Sequence, residues 1–127
     1  MKGPTTLIAI SCFASLGLCG GDVFNARTYK PPYFPNKCGY SRGEIPSDML
    51  FAALGPQLWN NGAYCGVHFI LRCTAGLRTG KCTGTNVRVK VIEGRLGPRA
   101  PAFSLSETAA AKLYTGGGAR IEWGETK

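Results

Sequence analysis

The sequence predicts a small, mainly β domain, a compact barrel of short strands held by disulfides. Residues 67–73 and 87–91 alternate apolar and polar side chains with the period of two that a half-buried strand shows. The 127 residues are enough for one domain and carry no internal repeat. Several short strands separated by Gly-rich and Pro-rich loops are typical of a closed barrel rather than an open parallel sheet.

The N-terminal segment has the pattern of a secretion signal. Lys2 precedes an apolar run over residues 7–18, and small residues near the end of that run offer a cleavage point. We therefore expect residues 1–21 to be a signal peptide and residues 22–127 to be one mature domain, secreted to the extracellular space or apoplast. A lipoprotein signal ending at Cys19 is the alternative. The run is shorter than the roughly 20 residues of a spanning helix, so no transmembrane segment is predicted.

Four cysteines remain in the mature domain, at Cys38, Cys65, Cys73 and Cys82. An even number in a small secreted domain predicts two disulfides, and the sequence alone leaves three pairings open. A metal site is the weaker hypothesis, because no Cys-x-x-Cys pair occurs and the single histidine, His68, has no obvious co-ligand. We predict no metal and no cofactor.

The first half of the mature domain is expected to contain a strand, a rigid loop and a helix. The strand is predicted over residues 22–29, and the three prolines of residues 30–35 exclude a central strand there. Ser47 is the predicted N-cap of a short helix over residues 48–54. Gly55 is expected to lie just past the end of that helix.

The second half adds loops, a helix and a strand to the two alternating segments. Residues 74–86, rich in Gly, Thr and basic side chains, are expected to form a surface excursion, and residues 93–101 an irregular connection. Ser104 and Glu107 match a capping box that starts a second helix. A last short strand is predicted over residues 119–123.

The chain is basic, with a formal net charge of +8 from 15 Lys and Arg against 7 Asp and Glu. Such a surface favours anionic partners, and in a secreted protein acidic wall polymers or anionic lipid head groups are better candidates than nucleic acid. The alternative is a solvated face that serves only solubility. The basic residues that stand out are Arg72, Arg78, Lys81, Arg88, Lys90, Arg95 and Arg99.

Six short motifs follow one another through the mature chain. They are YKPPY at residues 29–33, CGY at 38–40, LWNNGAYCG at 58–66, LRC at 71–73, KCTG at 81–84 and VRVKV at 87–91. In this order they resemble the plant natriuretic peptides and the expansin-like domain related to family 45 endoglucanases. The resemblance covers nearly all of the mature chain.

The resemblance implies a six-stranded double-psi β-barrel with two short helices. It also implies the disulfides Cys38–Cys65 and Cys73–Cys82. Many relatives have a further cysteine pair after the valine-rich strand, whereas this chain continues through Ile92 without one. The loop after that strand is therefore less tied down here.

Hydrolysis is not expected, although the resemblance extends to endoglucanases. Inverting hydrolysis of a glycoside requires two carboxyl groups roughly 6.5 to 9.5 Å apart. The resemblance places Glu93 at a groove aspartate of the family, whereas Asp48 and Glu107 are assigned to helix starts. Arg27 stands where the family has a groove threonine, which is a further mismatch. We predict no catalytic residue and no enzymatic activity.

Aromatic side chains near the first disulfide are candidate contacts for a ligand or partner. Flat aromatic faces stack on sugars or anchor proteins, although large aromatics more often fill small cores. Burial is favoured for Trp59, whereas Tyr33 and Tyr40 lie in polar loops and are better contact candidates. His68 is expected to be an ordinary surface residue. The candidate contact residues are Tyr29, Tyr33, Tyr40, Trp59, Asn61, Tyr64 and Glu93.

The family resemblance implies a secreted, non-catalytic signalling or effector-like protein. Like plant natriuretic peptides, it would act on ion and water balance through a cell-surface receptor, and residues 38–65 would carry that activity. The alternative is an expansin-like binder of cell-wall polysaccharide that holds the glycan through Tyr29, Tyr33 and Glu93. In either case we expect a monomer.

Overall fold

The computed structural model describes residues 12–13, 18–19 and 23–126. Two short strands near the N-terminus, β1 (Cys12–Phe13) and β2 (Leu18–Cys19), pair antiparallel. Most of the predicted signal peptide, residues 1–21, lies outside the described residues. Secretion and cleavage therefore stay predictions.

A closed six-stranded barrel forms the body of the molecule. Its strands are β3 (Val23–Thr28), β4 (Phe51–Leu54), β5 (His68–Gly76), β7 (Val87–Gly94), β8 (Phe103–Leu105) and β10 (Ala119–Thr126). Around the barrel they follow the order β10, β3, β8, β4, β7, β5. The β3–β8 and β4–β7 pairs are parallel, and the other barrel pairs are antiparallel.

Smaller elements cover the barrel. Strands β6 (Lys81–Cys82) and β9 (Tyr114–Thr115) pair with each other. The α-helices are α1 (Pro56–Trp59) and α2 (Glu107–Leu113), and single 3-10 turns occur at Arg42–Glu44 and Asn60–Gly62. Within residues 23–126, no helix is long and apolar enough to cross a membrane. The predicted fold class, a mainly β barrel with two short helices, is confirmed.

Alternation along β5 and β7 builds the core. Phe69 and Leu71 on β5 are fully buried, as are Val89 and Val91 on β7, whereas the intervening Arg88 is exposed. Burying side chains of this kind contributes about 1.5–3 kcal/mol each. The strand predictions over residues 67–73 and 87–91 are confirmed.

The predicted helix over residues 48–54 is wrong. Its second half is strand β4, whose residues are all fully buried between β7 and β8. A strand buried on both faces shows an unbroken apolar run instead of alternation. Because this burial outweighs a local preference of well under 1 kcal/mol per residue, Ala52 and Ala53 adopt a strand despite their helix propensity.

The residues that flank β4 also differ from their predicted roles. Asp48 does not start a helix, because its carboxylate accepts the Leu50 amide at 3.0 Å within a turn. Gly55 precedes a helix instead of following one, as the N-cap of α1 with Pro56 at its first position. Proline suits that position because its missing N–H would have no partner there.

Helix α2 is confirmed, but its cap lies two residues later than predicted. The Ser106 hydroxyl accepts the Ala109 amide at 3.1 Å and is the N-cap. Ser104 lies inside strand β8, and Glu107 is the first helical residue. The spacing from Ser106 to Ala109 satisfies one of the free amides at the helix start.

Both disulfides join the cysteines that the family resemblance implies. Cys38 and Cys65 have Cα atoms 5.6 Å apart, and Cys73 and Cys82 are 5.5 Å apart. The second bridge ties β5 to β6 and so closes the base of the excursion predicted after residue 74. The predicted pairing is confirmed.

Candidate functional site

Three adjoining depressions form a groove along one face of the barrel. The middle depression, of about 620 Å³, lies between the end of β3 and the loop that follows β7. A second, of about 400 Å³, shares Arg27 and Arg99 with it and continues to Arg120. A third, also of about 400 Å³, shares Arg95 with the middle one and reaches Glu93. We call this continuous surface the basic groove.

Strand pairing places two of the groove arginines on the outer face of the barrel. Ala26 of β3 is fully buried, so the flanking Arg27 points to the opposite side of the strand. Arg120 of β10 pairs with Asn25, two residues before Arg27. The stem of Arg27 passes close to Gly118, where an added Cβ would lie 3.4 Å from Arg27 Cγ. The two guanidinium groups therefore extend from neighbouring strands.

Positive charge dominates the basic groove. Its lining contains Lys37, Arg27, Arg95, Arg99 and Arg120, and Glu93 is the acidic residue among the described positions that line it. No carboxylate of the described residues forms an ion pair with Arg27, Arg99 or Arg120. A concave surface lined by one sign of charge concentrates ligands of the opposite sign.

Glu93 orders one end of the groove. One of its carboxylate oxygens, Oε1, accepts the Lys37 amide at 2.8 Å and the Gly94 amide at 3.0 Å. The Lys37 bond ties the proline-rich loop to the end of β7 across 56 positions of sequence. Glu93 thus lines the groove and holds its wall, and its contact with a ligand stays a prediction.

Tyr29 lies beside Glu93 in the same depression. Its hydroxyl is buried and has no hydrogen-bond partner among the described residues. Burial, reinforced by the Glu93 carboxylate, raises the pKa of the Tyr29 phenol well above its ordinary value, so the hydroxyl keeps its proton. The Arg95 guanidinium lies over the ring, with Cζ 5.1 Å from the centroid. Tyr29 therefore keeps a neutral, buried hydroxyl under the wall of the groove, with Arg95 over its ring.

Two other predicted aromatic contacts pack around Phe51. Tyr33 has an exposed fraction of only 7% and packs edge-on against Tyr29 and Phe51, at 5.0 and 4.7 Å between ring centroids. The expectation of an open loop residue is wrong for Tyr33, because its hydroxyl turns inward and donates to the Tyr29 carbonyl at 3.1 Å. Tyr40 is half-buried, and Lys90 Nζ lies 4.4 Å from its ring centroid.

The remaining predicted contact residues lie at the end of α1 and in the segment after it. Trp59 is half-buried and packs over Gly94, where an added Cβ would lie 2.8 Å from the indole ring. Tyr64 packs edge-on against Phe69 at 5.3 Å. Asn61 is exposed in a left-handed backbone conformation, with φ 54°. The structure therefore does not gather the predicted residues into one site, and their ligand contacts stay predictions.

Sequence reasoning missed most of the basic groove. The sequence presents Arg27 only as a mismatch to the family and Arg95 and Arg99 only as scattered charge, and its patterns single out neither Lys37 nor Arg120. The overall charge of +8 was the available signal. It gives no location, because the barrel brings these arginines together from distant parts of the chain.

A separate apolar depression of about 780 Å³ lies beside the proline-rich loop. Tyr33, Phe34 and Ile45 line it, together with Met49, which is 37% exposed. Among the described residues, no group of three His, Cys, Asp or Glu side chains is placed to hold a metal ion.

The closed barrel and its open groove define an expansin-like domain. The chain is 34% identical over 91 residues to an EG45-like domain containing protein of Citrus jambhiri, covering 68% of this chain and 61% of that protein. It is 32% identical over 89 residues to the putative EG45-like domain containing protein 1 of Arabidopsis thaliana, covering 68% of each. The chain belongs to the EG45-like domain family. No family model matches it.

Solved structures of an expansin share the fold. The apo expansin of Clavibacter michiganensis has a TM-score of 0.63 at 20% identity, covering 84% of this chain and 50% of that one. A mutant of that expansin in complex with cellohexaose has a TM-score of 0.62 at 19% identity, covering 84% and 51%. The chain thus spans about half of the length of the expansin, 50% in one structure and 51% in the other.

Proposed function

We propose that the chain is a secreted polysaccharide-binding domain of the plant cell wall that does not hydrolyse its ligand. The observation that carries this proposal is the shape of the basic groove, in which three depressions share lining residues and run on from one another. An open, extended groove suits a polymer, whereas a small ligand is usually enclosed. The complex of the related expansin mutant with cellohexaose supports a sugar chain as the ligand class.

The arrangement of acidic residues supports binding without cleavage. Glu93 is the acid among the described residues that line the groove, and one of its oxygens is held by two amides. Elsewhere, Glu44 accepts the Ser41 amide and Glu122 pairs with Arg72. Inverting hydrolysis needs a second carboxyl group roughly 6.5 to 9.5 Å from the first. The groove lining supplies no such pair among the described residues.

A groove-filling variant tests this proposal. Ala100 lines two of the three depressions, so Ala100→Trp should block the groove. Ala111→Trp adds the same bulk on the exposed side of α2 and is the matched control. We expect retention on insoluble wall fractions to fall in the first variant only, with no release of reducing ends by either protein. Equal retention of both variants would contradict groove binding, and release of reducing ends would contradict the non-hydrolytic assignment.

Receptor-mediated signalling of the natriuretic-peptide kind is the second candidate. The apolar depression favours it, because Phe34, Ile45 and the exposed Met49 offer a protein partner a surface that overlaps residues 38–65. Plant protoplasts should swell with the oxidised protein and not with a reduced, alkylated control. Met49→Lys should abolish swelling while leaving glycan retention intact. Protoplasts that do not respond at micromolar protein would exclude this candidate.

A further inference from the structure

We propose that the basic groove selects anionic polysaccharide, with a uronic acid carboxylate on its sugars, over neutral glucan. This inference rests on the proposed function and adds the chemical class of the polymer. It assigns the recognition to Arg27, Arg95, Arg99 and Arg120, of which the sequence indicates only Arg95 and Arg99, as part of a generally basic surface.

The middle depression carries the first part of the argument. Arg27, Arg95 and Arg99 all line it, and no acidic residue is among its described lining positions. Three like charges around one depression repel each other, and an anion placed between them relieves that repulsion. A neutral sugar would displace water from the guanidinium groups without compensating their charge.

Hydrogen-bond chemistry gives the second part. A guanidinium group has five donors and no acceptor, so a groove lined by arginines is rich in donors. Carboxylates accept bidentate bonds from guanidinium groups, and these bonds are stronger than those of a neutral hydroxyl. Glu93 is the one acidic side chain among the described lining residues, and its Oε1 already receives two amide hydrogens, so the carboxylate acceptor left for a sugar there is Oε2. The groove therefore complements a ligand rich in acceptors.

The placement of the arginines gives the third part. Arg27 and Arg120 extend from the paired strands β3 and β10, whereas Arg95 and Arg99 belong to the loop after β7. Both pairs line the same continuous groove. A polymer with a carboxylate on each sugar would meet a guanidinium group from either side as it runs along the groove, whereas a single anion would use only part of it.

A comparison of polymers with the same backbone tests the inference. Binding of the oxidised chain would be measured by calorimetry with oligogalacturonate, with its methyl ester and with cellohexaose. We expect the acid to bind at least about tenfold more tightly than its ester, because esterification removes the charge and the bidentate acceptor. Raising the salt from about 0.02 M to 0.5 M should abolish most of that difference, since exposed charges are screened.

Paired variants locate the effect. Arg27→Gln with Arg99→Gln should weaken oligogalacturonate binding at least about tenfold and weaken cellohexaose binding less, because that sugar offers no carboxylate to the guanidinium groups. Lys81→Gln with Lys112→Gln removes the same charge from exposed positions outside the groove and should change affinity less than about threefold. Arg27→Lys with Arg99→Lys keeps the charge but loses the fork geometry, and should fall between the two.

The outcomes separate this inference from the proposed function. If the ester or cellohexaose binds as tightly as the acid and the groove variant changes nothing, the anionic selectivity is wrong while polysaccharide binding stands. If none of the sugars binds, both are wrong. Equally tight, variant-sensitive binding to vesicles containing phosphatidylserine would overturn the polysaccharide assignment in favour of an anionic lipid surface.

Discussion

Two arginines on either side of strand β10 have opposite surroundings. Arg72 lies on the neighbouring strand β5 and forms an ion pair with Glu122 of β10, which is only 5% exposed. Arg27 lies on the other neighbour, β3, and lines the basic groove with no ion pair among the described residues. Arginine therefore has two roles in this barrel. Arg72 faces a buried carboxylate and stabilises the fold, whereas Arg27 faces none among the described residues and is available to a ligand.

Breaking the Arg72–Glu122 ion pair should have the largest effect. Glu122→Gln replaces a carboxylate that pairs with Arg72, and because the Arg72 side chain is 42% exposed we expect the free energy of unfolding to fall by about 2 kcal/mol. Urea unfolding measures this loss. Glu125→Gln, an exposed position on the same strand, is the control and should change stability by less than about 0.5 kcal/mol. A Glu122→Gln protein as stable as the parent would show that the pair contributes nothing to the barrel.

Exchanging one arginine at a time sharpens the comparison. Arg72→Gln should cost about 1.5 kcal/mol of stability, because it removes a guanidinium group that pairs with the buried Glu122 carboxylate, and should leave oligogalacturonate affinity unchanged. Arg27→Gln should leave stability within about 0.5 kcal/mol and lower that affinity about fivefold. Unfolding and calorimetry on the same two proteins give both quantities. If both variants change the same quantity, the division of roles is wrong.

The fold was predictable from sequence where the local pattern and the burial agree. Phe69, Leu71 and Val89 alternate with polar residues and are buried as that pattern requires. The pattern failed at β4, because a strand covered on both faces has no polar side to reveal its period. It failed again at Ser104, where a serine inside a strand has the same spacing to a glutamate as a helix cap.

The groove was less predictable than the fold. Arg27 and Arg120 become neighbours only through the β3–β10 pairing, and Arg99 joins them from a loop that sequence reasoning describes only as irregular. Tyr33 is buried although its segment is proline-rich and polar, because its ring turns inward against Phe51. Local composition indicates charge and aromaticity. Which distant residues come together can be known only from the topology of the strands.

Replacing Glu93, the acid among the described residues that line the groove, should change affinity less and in the opposite direction. Glu93→Gln keeps an oxygen that can accept the Lys37 and Gly94 amides, so stability should fall by only about 1 kcal/mol. Because the groove becomes more positive, oligogalacturonate affinity should rise about two- to threefold. Glu44→Gln, outside the groove linings, makes the same charge change and should leave affinity unchanged. A loss of affinity in a folded Glu93→Gln protein would indicate that the carboxylate binds the sugar.

His68 tests the comparison at the start of β5, where the cations Arg88 and Lys90 outweigh the carboxylate of Asp48. The structure places it half-buried, so it is less open than an ordinary surface residue. Partial burial first, and then Arg88 and Lys90, lower the pKa of His68 below its ordinary 6.5, whereas Asp48 raises it slightly. Below pH 6.5 the unfolded chain therefore binds more protons than the folded one, and stability falls as the pH drops.

Replacing His68 should have the smallest effect of the series. His68→Gln should reduce the fall in melting temperature between about pH 7.5 and pH 5. The melting temperature at about pH 7.5 should not change, because the imidazole is uncharged there in both the folded and the unfolded chain. Thermal unfolding at the two pH values measures it. A fall as large in the variant as in the parent would assign the acid sensitivity to other groups.

Mapping the bound ligand on labelled protein tests the central claim most directly. Amide chemical shifts of the oxidised chain would be followed by NMR during titration with oligogalacturonate. The account predicts saturable changes at Arg27, Arg120 and the residues from Glu93 to Ala102, which line the basic groove. Changes confined to the apolar depression around Phe34, Ile45 and Met49 would contradict it.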